Sequence, residues 1–105
     1  MNEKTRSWLP IGSVVTLKDG VRPVMVVGVM AQDSNTGKWW DYMGYPYPEG
    51  MGNAEADYFF DASMIREIQQ LGLVDADALL FQAFLRRNES EYFAKREDQG
   101  GGDRS

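Results

Sequence analysis

The chain contains no cysteine and no histidine. The first absence excludes disulfide stapling and thiolate-based zinc or redox chemistry. The second removes the commonest general base, the commonest metal ligand and the side chain that titrates nearest neutral pH. Long apolar runs are missing too. The longest, Val24 to Ala31, falls well short of the roughly 20 residues that a helix needs to cross a bilayer. Lys4 and Arg6 are followed by no apolar segment, because Pro10 and Gly12 interrupt Trp8, Leu9 and Ile11, so no secretory signal is expected. Together these absences point to a non-catalytic, cytoplasmic protein with no cofactor, no metal and no place in a membrane.

What is present suits one small α+β domain. The 105 residues are 43% hydrophobic, enough to bury a single core and too apolar for wholesale disorder. The net charge of −5 is unevenly spread, with ten acids against four bases between Lys18 and Asp77. Phosphate backbones demand clustered Lys and Arg, so nucleic acid is excluded as a partner. A basic protein surface would complement such a field.

The hydrophobic pattern predicts a curled antiparallel sheet of four to five strands, partly barrel-like, covered by a C-terminal helix. Ser13–Lys18 is β-branched and ends at Asp19-Gly20, a pair suited to a tight turn. Val24–Met30 is apolar on both faces and should lie centrally, with Pro23 marking its start and Gly28 a bulge. Asp33 to Gly37 is a turn cluster leading into an aromatic strand over Lys38–Met43, and Gly44 to Ala56 reads as an irregular loop. Tyr58-Phe59-Phe60 is a short strand or packed turn. Asp61–Leu71 stays open between helix and strand, since Met64, Ile65, Ile68 and Leu71 fit a helical period while the segment is short enough to be a strand after one helical turn.

Asp75–Arg87 is the clearest helix, capped by Asp75, with an extension through Glu89–Arg96. Its stripe of Leu79, Leu80, Ala83 and Phe84, widened by Phe81 and Leu85, is expected to cover the sheet. Tyr92 and Phe93 lie beyond that contact and are a candidate for partner or homodimer association. Residues 1–7 are read as a flexible N-terminus, 8–96 as the domain and 97–105 as a disordered tail.

Three stretches carry a resemblance. They are Leu9-Pro10-Ile11-Gly12-Ser13-Val14-Val15, the strand through Met25 to Gly28, and Asp41-Tyr42 followed by Gly44-Tyr45-Pro46-Tyr47-Pro48-Glu49-Gly50. Across residues 8 to 87 the chain resembles the bacterial family known as domain of unknown function 4176. The resemblance implies a small cytoplasmic protein associated with type VII secretion and its toxin effectors, acting as a targeting or chaperone-like accessory factor. It also favours a strand around Ile65 to Leu71. It brings no catalytic residues.

The aromatic segment is the expected docking surface. Trp40, Tyr42, Tyr45 and Tyr47 supply rings with large contact area at low entropic cost, and Glu49, Glu55 and Asp57 supply charge to orient a basic or grooved protein partner. Strand alternation places Trp39 and Trp40 on opposite faces, with Trp39 and Tyr42 inward and Trp40 and Tyr45 toward solvent. The bonds before Pro46 and Pro48 are expected to be trans. Asp33 to Gly37 lacks the spacing of a calcium loop, and the acids Glu49, Glu55, Asp57 and Asp61 read as a solvated face. The alternative function is a small-ligand-binding protein, or an enzyme, using an aromatic Trp/Tyr cleft centred on Trp40.

Overall fold

The computed structural model describes residues 8–51 and 57–103, with side chains as far as Gln99. Five antiparallel strands form one open sheet, and a single long helix follows. The strands are β1 (Val14–Leu17), β2 (Val24–Gln32), β3 (Trp39–Pro46), β4 (Tyr58–Phe60) and β5 (Ile65–Gln70); the helix is α1 (Ala76–Asp103). The order across the sheet is β4-β3-β2-β1-β5, so β4 and β5 are edges and the barrel does not close.

The β1–β2 and β2–β3 connections are short and join neighbouring strands without room for a crossover, which explains their antiparallel pairing, while the short β4–β5 link carries the chain from one edge of the sheet to the other. Gly20 N–H bonds the Leu17 carbonyl at 3.1 Å in the β1–β2 turn. The β2–β3 hairpin closes on Asp33, whose carbonyl accepts from Thr36 and Gly37 while its carboxylate accepts from Asn35 N–H. Gly37 takes the left-handed φ of +77° that this turn needs. β2 is the central strand, and its register against β3 shifts between Val26 and Gly28, so the bulge falls where Gly28 predicted it.

Two stretches read as loop or left ambiguous take regular form. β3 continues through Gly44, Tyr45 and Pro46, beyond the expected end at Met43. Gly44 permits this: a Cβ there would sit 2.5 Å from the Met25 carbonyl oxygen and 2.6 Å from Val24 Cγ1. The chain then turns at Tyr47–Gly50, where Gly50 N–H bonds the Pro46 carbonyl at 2.7 Å and the Tyr47–Pro48 bond is cis rather than trans. Asp61–Leu71 resolves as one 3-10 turn (Ala62–Met64) leading into β5, which pairs with β1. The Asp61 side chain is engaged by β3 and α1, so it does not cap a longer helix. Gly72 ends the strand by lying against the Ile11–Ser13 backbone, where a Cβ would stand 2.1 Å from the Ile11 carbonyl oxygen.

The core consists of Trp8, Val15, Val24, Val26, Tyr42, Phe60, Leu85 and Tyr92. Asp75 caps α1 by accepting from Ala78 N–H at 2.9 Å, as its position predicted. The helix runs well past Arg87, and Gln99, inside the expected tail, bonds both the N–H and the carbonyl of Trp39. The expected apolar stripe is not the covering face. Leu79, Leu80, Ala83 and Phe84 are all exposed, and the helix instead buries Leu85 and Tyr92. These two are seven residues apart, so they share one helical face. That face seats on Trp8 and Trp39, which meet the Tyr92 ring at 5.7 and 6.2 Å.

Candidate partner-binding surface

The residues expected to form the aromatic docking surface are dispersed. Tyr42 is 3% exposed, packs its ring at a tilt against Phe60 at 5.6 Å and accepts from Leu9 N–H through its hydroxyl, so it belongs to the core. Trp40 is half-buried under Lys38, whose Nζ stands 5.0 Å from the ring centre. It lies five residues before Tyr45 on the same strand, roughly 17 Å away. Around the β3–β4 turn the expected residues do assemble. Tyr47 is exposed and Glu49 is ion-paired with Arg22. Asp57 accepts the Tyr45 hydroxyl, which raises that phenol above its ordinary value. Arg22 lowers Glu49, chiefly by hydrogen bonding. Glu55 lies outside the described residues.

A more continuous apolar surface lies around Trp8 and Leu9. Trp8 and Leu9 form the floor between the β5 edge and α1 and are shared by two hollows. One, of about 340 Å³, is walled by Tyr42, Ile65, Ile68 and Phe93, with Asp41, Arg66 and Glu67 as its polar groups. The other, of about 470 Å³, is walled by Leu71, Val74, Leu79 and Ala83, with Gln82 and Arg86 at its rim. Leu79 is 59% exposed, and Leu71, Leu73 and Val74 are also open to solvent. The β5 strand beside this groove is a sheet edge. An apolar trough next to an unpaired strand edge can take an extended or helical peptide segment.

The helix wall of this groove is held by a polar cluster that the sequence reading did not anticipate. Asp41 accepts the Tyr92 hydroxyl at 2.8 Å, Arg96 at 3.1 Å and Ala62 N–H at 2.9 Å. Asp61 receives Arg96 through two nitrogens at 2.7 and 3.0 Å and also Asp41 N–H at 3.0 Å. Burial raises Asp41 above the usual carboxylate range; the Ala62 and Tyr92 hydrogen bonds and the Arg96 charge oppose that, while the Asp61 charge adds to it. Burial, then the Asp41 charge, push the Tyr92 phenol up. Burial alone would lower Arg96, but its bonds to Asp61 and Tyr92 outweigh it and the guanidinium is raised. One signal was available in the sequence: Asp41 is the lone acid inside an aromatic strand, and a carboxylate there must find donors.

Trp8 was the other residue missed. Its indole N–H bonds Glu89 at 3.0 Å, and its ring contacts Tyr42, Tyr92 and Phe93 at 5.7 to 6.2 Å. Tyr92, expected at an intermolecular contact, is spent on this intramolecular one, whereas Phe93 packs on Trp8 and stays 38% exposed. Of the acids expected as a solvated face, Glu49 and Asp57 are exposed, beside Arg22 and Tyr45, whereas Asp61 is partly buried and held by Arg96. Among the described residues, no three acidic side chains converge as a metal site, and no helix is long and apolar enough to cross a membrane.

Comparison with known families matches residues 8–81 to the family described as Domain of unknown function (DUF4176). No curated protein and no solved structure matches the chain.

Proposed function

The chain belongs to the DUF4176 family, and on that footing we propose that it is a non-catalytic protein-binding accessory factor that holds a segment of another protein in the Trp8 groove. The observation that carries this reading is the groove itself: two hollows sharing Trp8 and Leu9, bounded by a free strand edge and by helix side chains that the domain leaves uncovered. Uncovered apolar area of this continuity is characteristic of interaction sites. The finer assignment, a targeting or chaperone-like role in type VII secretion or for its toxin effectors, rests on what the family resemblance implies. The β3–β4 turn, with Tyr45, Tyr47, Glu49 and Asp57, is a secondary contact surface in this reading.

The test is co-purification with the products of the flanking genes. Leu79→Glu places a charge on an exposed groove wall, so binding is lost while thermal unfolding is unchanged. A Trp40→Ala/Tyr45→Ala variant reports separately on the strand and turn. Binding that survives Leu79→Glu defeats the groove, and failure of every flanking product to bind defeats the accessory role. A second reading, small-ligand binding, draws on the 340 Å³ hollow, whose size and few polar groups suit a ligand. It requires the hollow at Trp8 rather than a cleft at Trp40, and an Ile65→Trp variant that fills it would abolish ligand-induced stabilisation.

A further inference from the structure

The first three turns of α1 carry apolar side chains around most of their circumference. Leu79 and Ala83 line the groove, Leu85 enters the core, and Leu80, Phe81 and Phe84 face neither. Leu80 is 70% exposed and Phe84 49% exposed, and the Phe81 and Phe84 rings stack on each other at 6.0 Å. A helix that is apolar on nearly all sides is normally enclosed. Here the domain encloses one side only. Leu80 and Phe84 lie roughly 110° round the helix from Leu85 and Tyr92 at 100° per residue.

We propose that this outer face pairs with the same face of a second copy of the chain, as two antiparallel helices related by a two-fold axis near Gln82. The sequence of the face specifies the occupant. Asp77, Leu80, Phe84 and Arg87 are spaced three, four and three residues apart, the repeat that keeps one seam along a helix pair, and all four are exposed. The seam is complementary to its own reversal. Centred on Gln82, Asp77 of one copy meets Arg87 of the other, Leu80 meets Phe84, and the two-fold repeats each contact. A parallel pairing would set Asp77 against Asp77 and Arg87 against Arg87. Opposite charges at both ends and apolar side chains between them thus favour a second copy, antiparallel, over an unrelated helix. The contact is small, roughly 1,000 Å² in total once the two-fold doubles it, at the low end for specific interfaces. The dimer therefore dissociates on dilution.

This pairing is independent of the groove, which lies on the Leu79–Ala83 side. Sedimentation of the full chain should give twice the 11.9 kDa chain mass at high concentration, falling toward the monomer on dilution. Phe84→Glu gives a monomer with unchanged unfolding temperature. Asp77→Arg and Arg87→Asp each turn two attractions into repulsions and raise the dissociation constant roughly tenfold. Mixing those two variants restores association, because each then offers the charge the other needs at both ends. A wild-type chain that remains monomeric overturns the proposal. So does a dimer indifferent to the charge reversals, or one that the mixture fails to restore.

Discussion

Replacing Arg96 with Met tests what holds α1 to the sheet. The substitution keeps an unbranched apolar side chain and removes the guanidinium, which Asp41 and Asp61 share and which lies over the Tyr92 ring. Losing one partner from a buried ion pair costs more than the pair was worth, because the remaining charge is stranded; a fully buried case costs about 3–5 kcal/mol. Arg96 keeps 25% of its side-chain surface in water, so part of the stranded charge is solvated. The expected loss is about 2–3 kcal/mol in urea unfolding, or roughly 10–20 °C in Tm for a domain of this size.

The pH dependence separates this account from a simple packing defect. Asp41 is raised by burial above its ordinary value of 3.8, so it holds a proton more firmly folded than unfolded. Its contribution to stability is fully present below that ordinary value and is lost as pH rises through the raised one. Arg96 is one of the groups holding Asp41 down, and removing it raises Asp41 further. The deficit of Arg96→Met is therefore largest at neutral pH and narrows on acidification toward the ordinary carboxylate range. Adding Asp61→Asn removes a neighbouring like charge and returns part of the loss at neutral pH. A deficit below about 0.5 kcal/mol, within what ordinary surface substitutions produce, or one that stays flat with pH, would refute the reasoning.

Other substitutions test separate contacts. Tyr92→Phe keeps the ring against Trp8 and deletes the hydroxyl that donates to Asp41, and should cost about 1.5–3 kcal/mol by chemical denaturation, the range for a hydrogen bond to a charged group. Gly72→Ala forces a Cβ toward the Ile11 carbonyl oxygen, so the β5 end must shift, at about 1–3 kcal/mol in the same assay. Glu49→Gln breaks an exposed ion pair with Arg22 and should leave Tm unchanged, since solvent and salt already screen that contact.

The sheet was readable because its signals are local. Asp-Gly, the Asp33 to Gly37 cluster, Pro23 and Gly28 each act on their own stretch of backbone, and each turn, start or bulge falls where they stand. The Gly44 result shows where that logic fails. Glycine and proline spacing alone suggested a loop, whereas Gly44 lies in a strand because neighbouring backbone approaches too closely for any Cβ. The helix misreading has a different cause. Leu79, Leu80, Ala83 and Phe84 make a stronger stripe than Leu85 and Tyr92, but periodicity does not say which apolar face the domain covers. That choice was made by Trp8 and Asp41, distant in sequence, which offer an edge-to-face ring contact and a hydrogen bond to Tyr92 and nothing to Leu80. Tyr42 faces inward as alternation predicted, but it does not join the docking surface, for the same reason: that depended on whether Phe60 and Leu9 returned to it.

The polar cluster and the uncovered apolar surface are two halves of one arrangement. A helix of this length is not stable in water on its own merits when its first turns are exposed leucine and phenylalanine; it needs a tertiary anchor. That anchor is displaced toward the C-terminal half. Tyr92 bonds Asp41, Arg96 bonds Asp41 and Asp61, Gln99 bonds both backbone groups of Trp39, and Lys95 lies over the Trp39 ring. The N-terminal half is tied by Asp75 at its start, by Leu85 in the core and by Glu89 to the Trp8 indole, while Leu79, Leu80 and Phe84 stay exposed. Directional polar contacts at one end thus fix the angle at which an apolar segment is presented at the other, and Trp8 both supports the helix and floors the groove. It follows that Arg96→Met should increase amide exchange at Leu79–Leu85, a full three turns from the substitution, more than at β2. Exchange that rises only next to residue 96 would mean that the two halves of the helix are not mechanically linked.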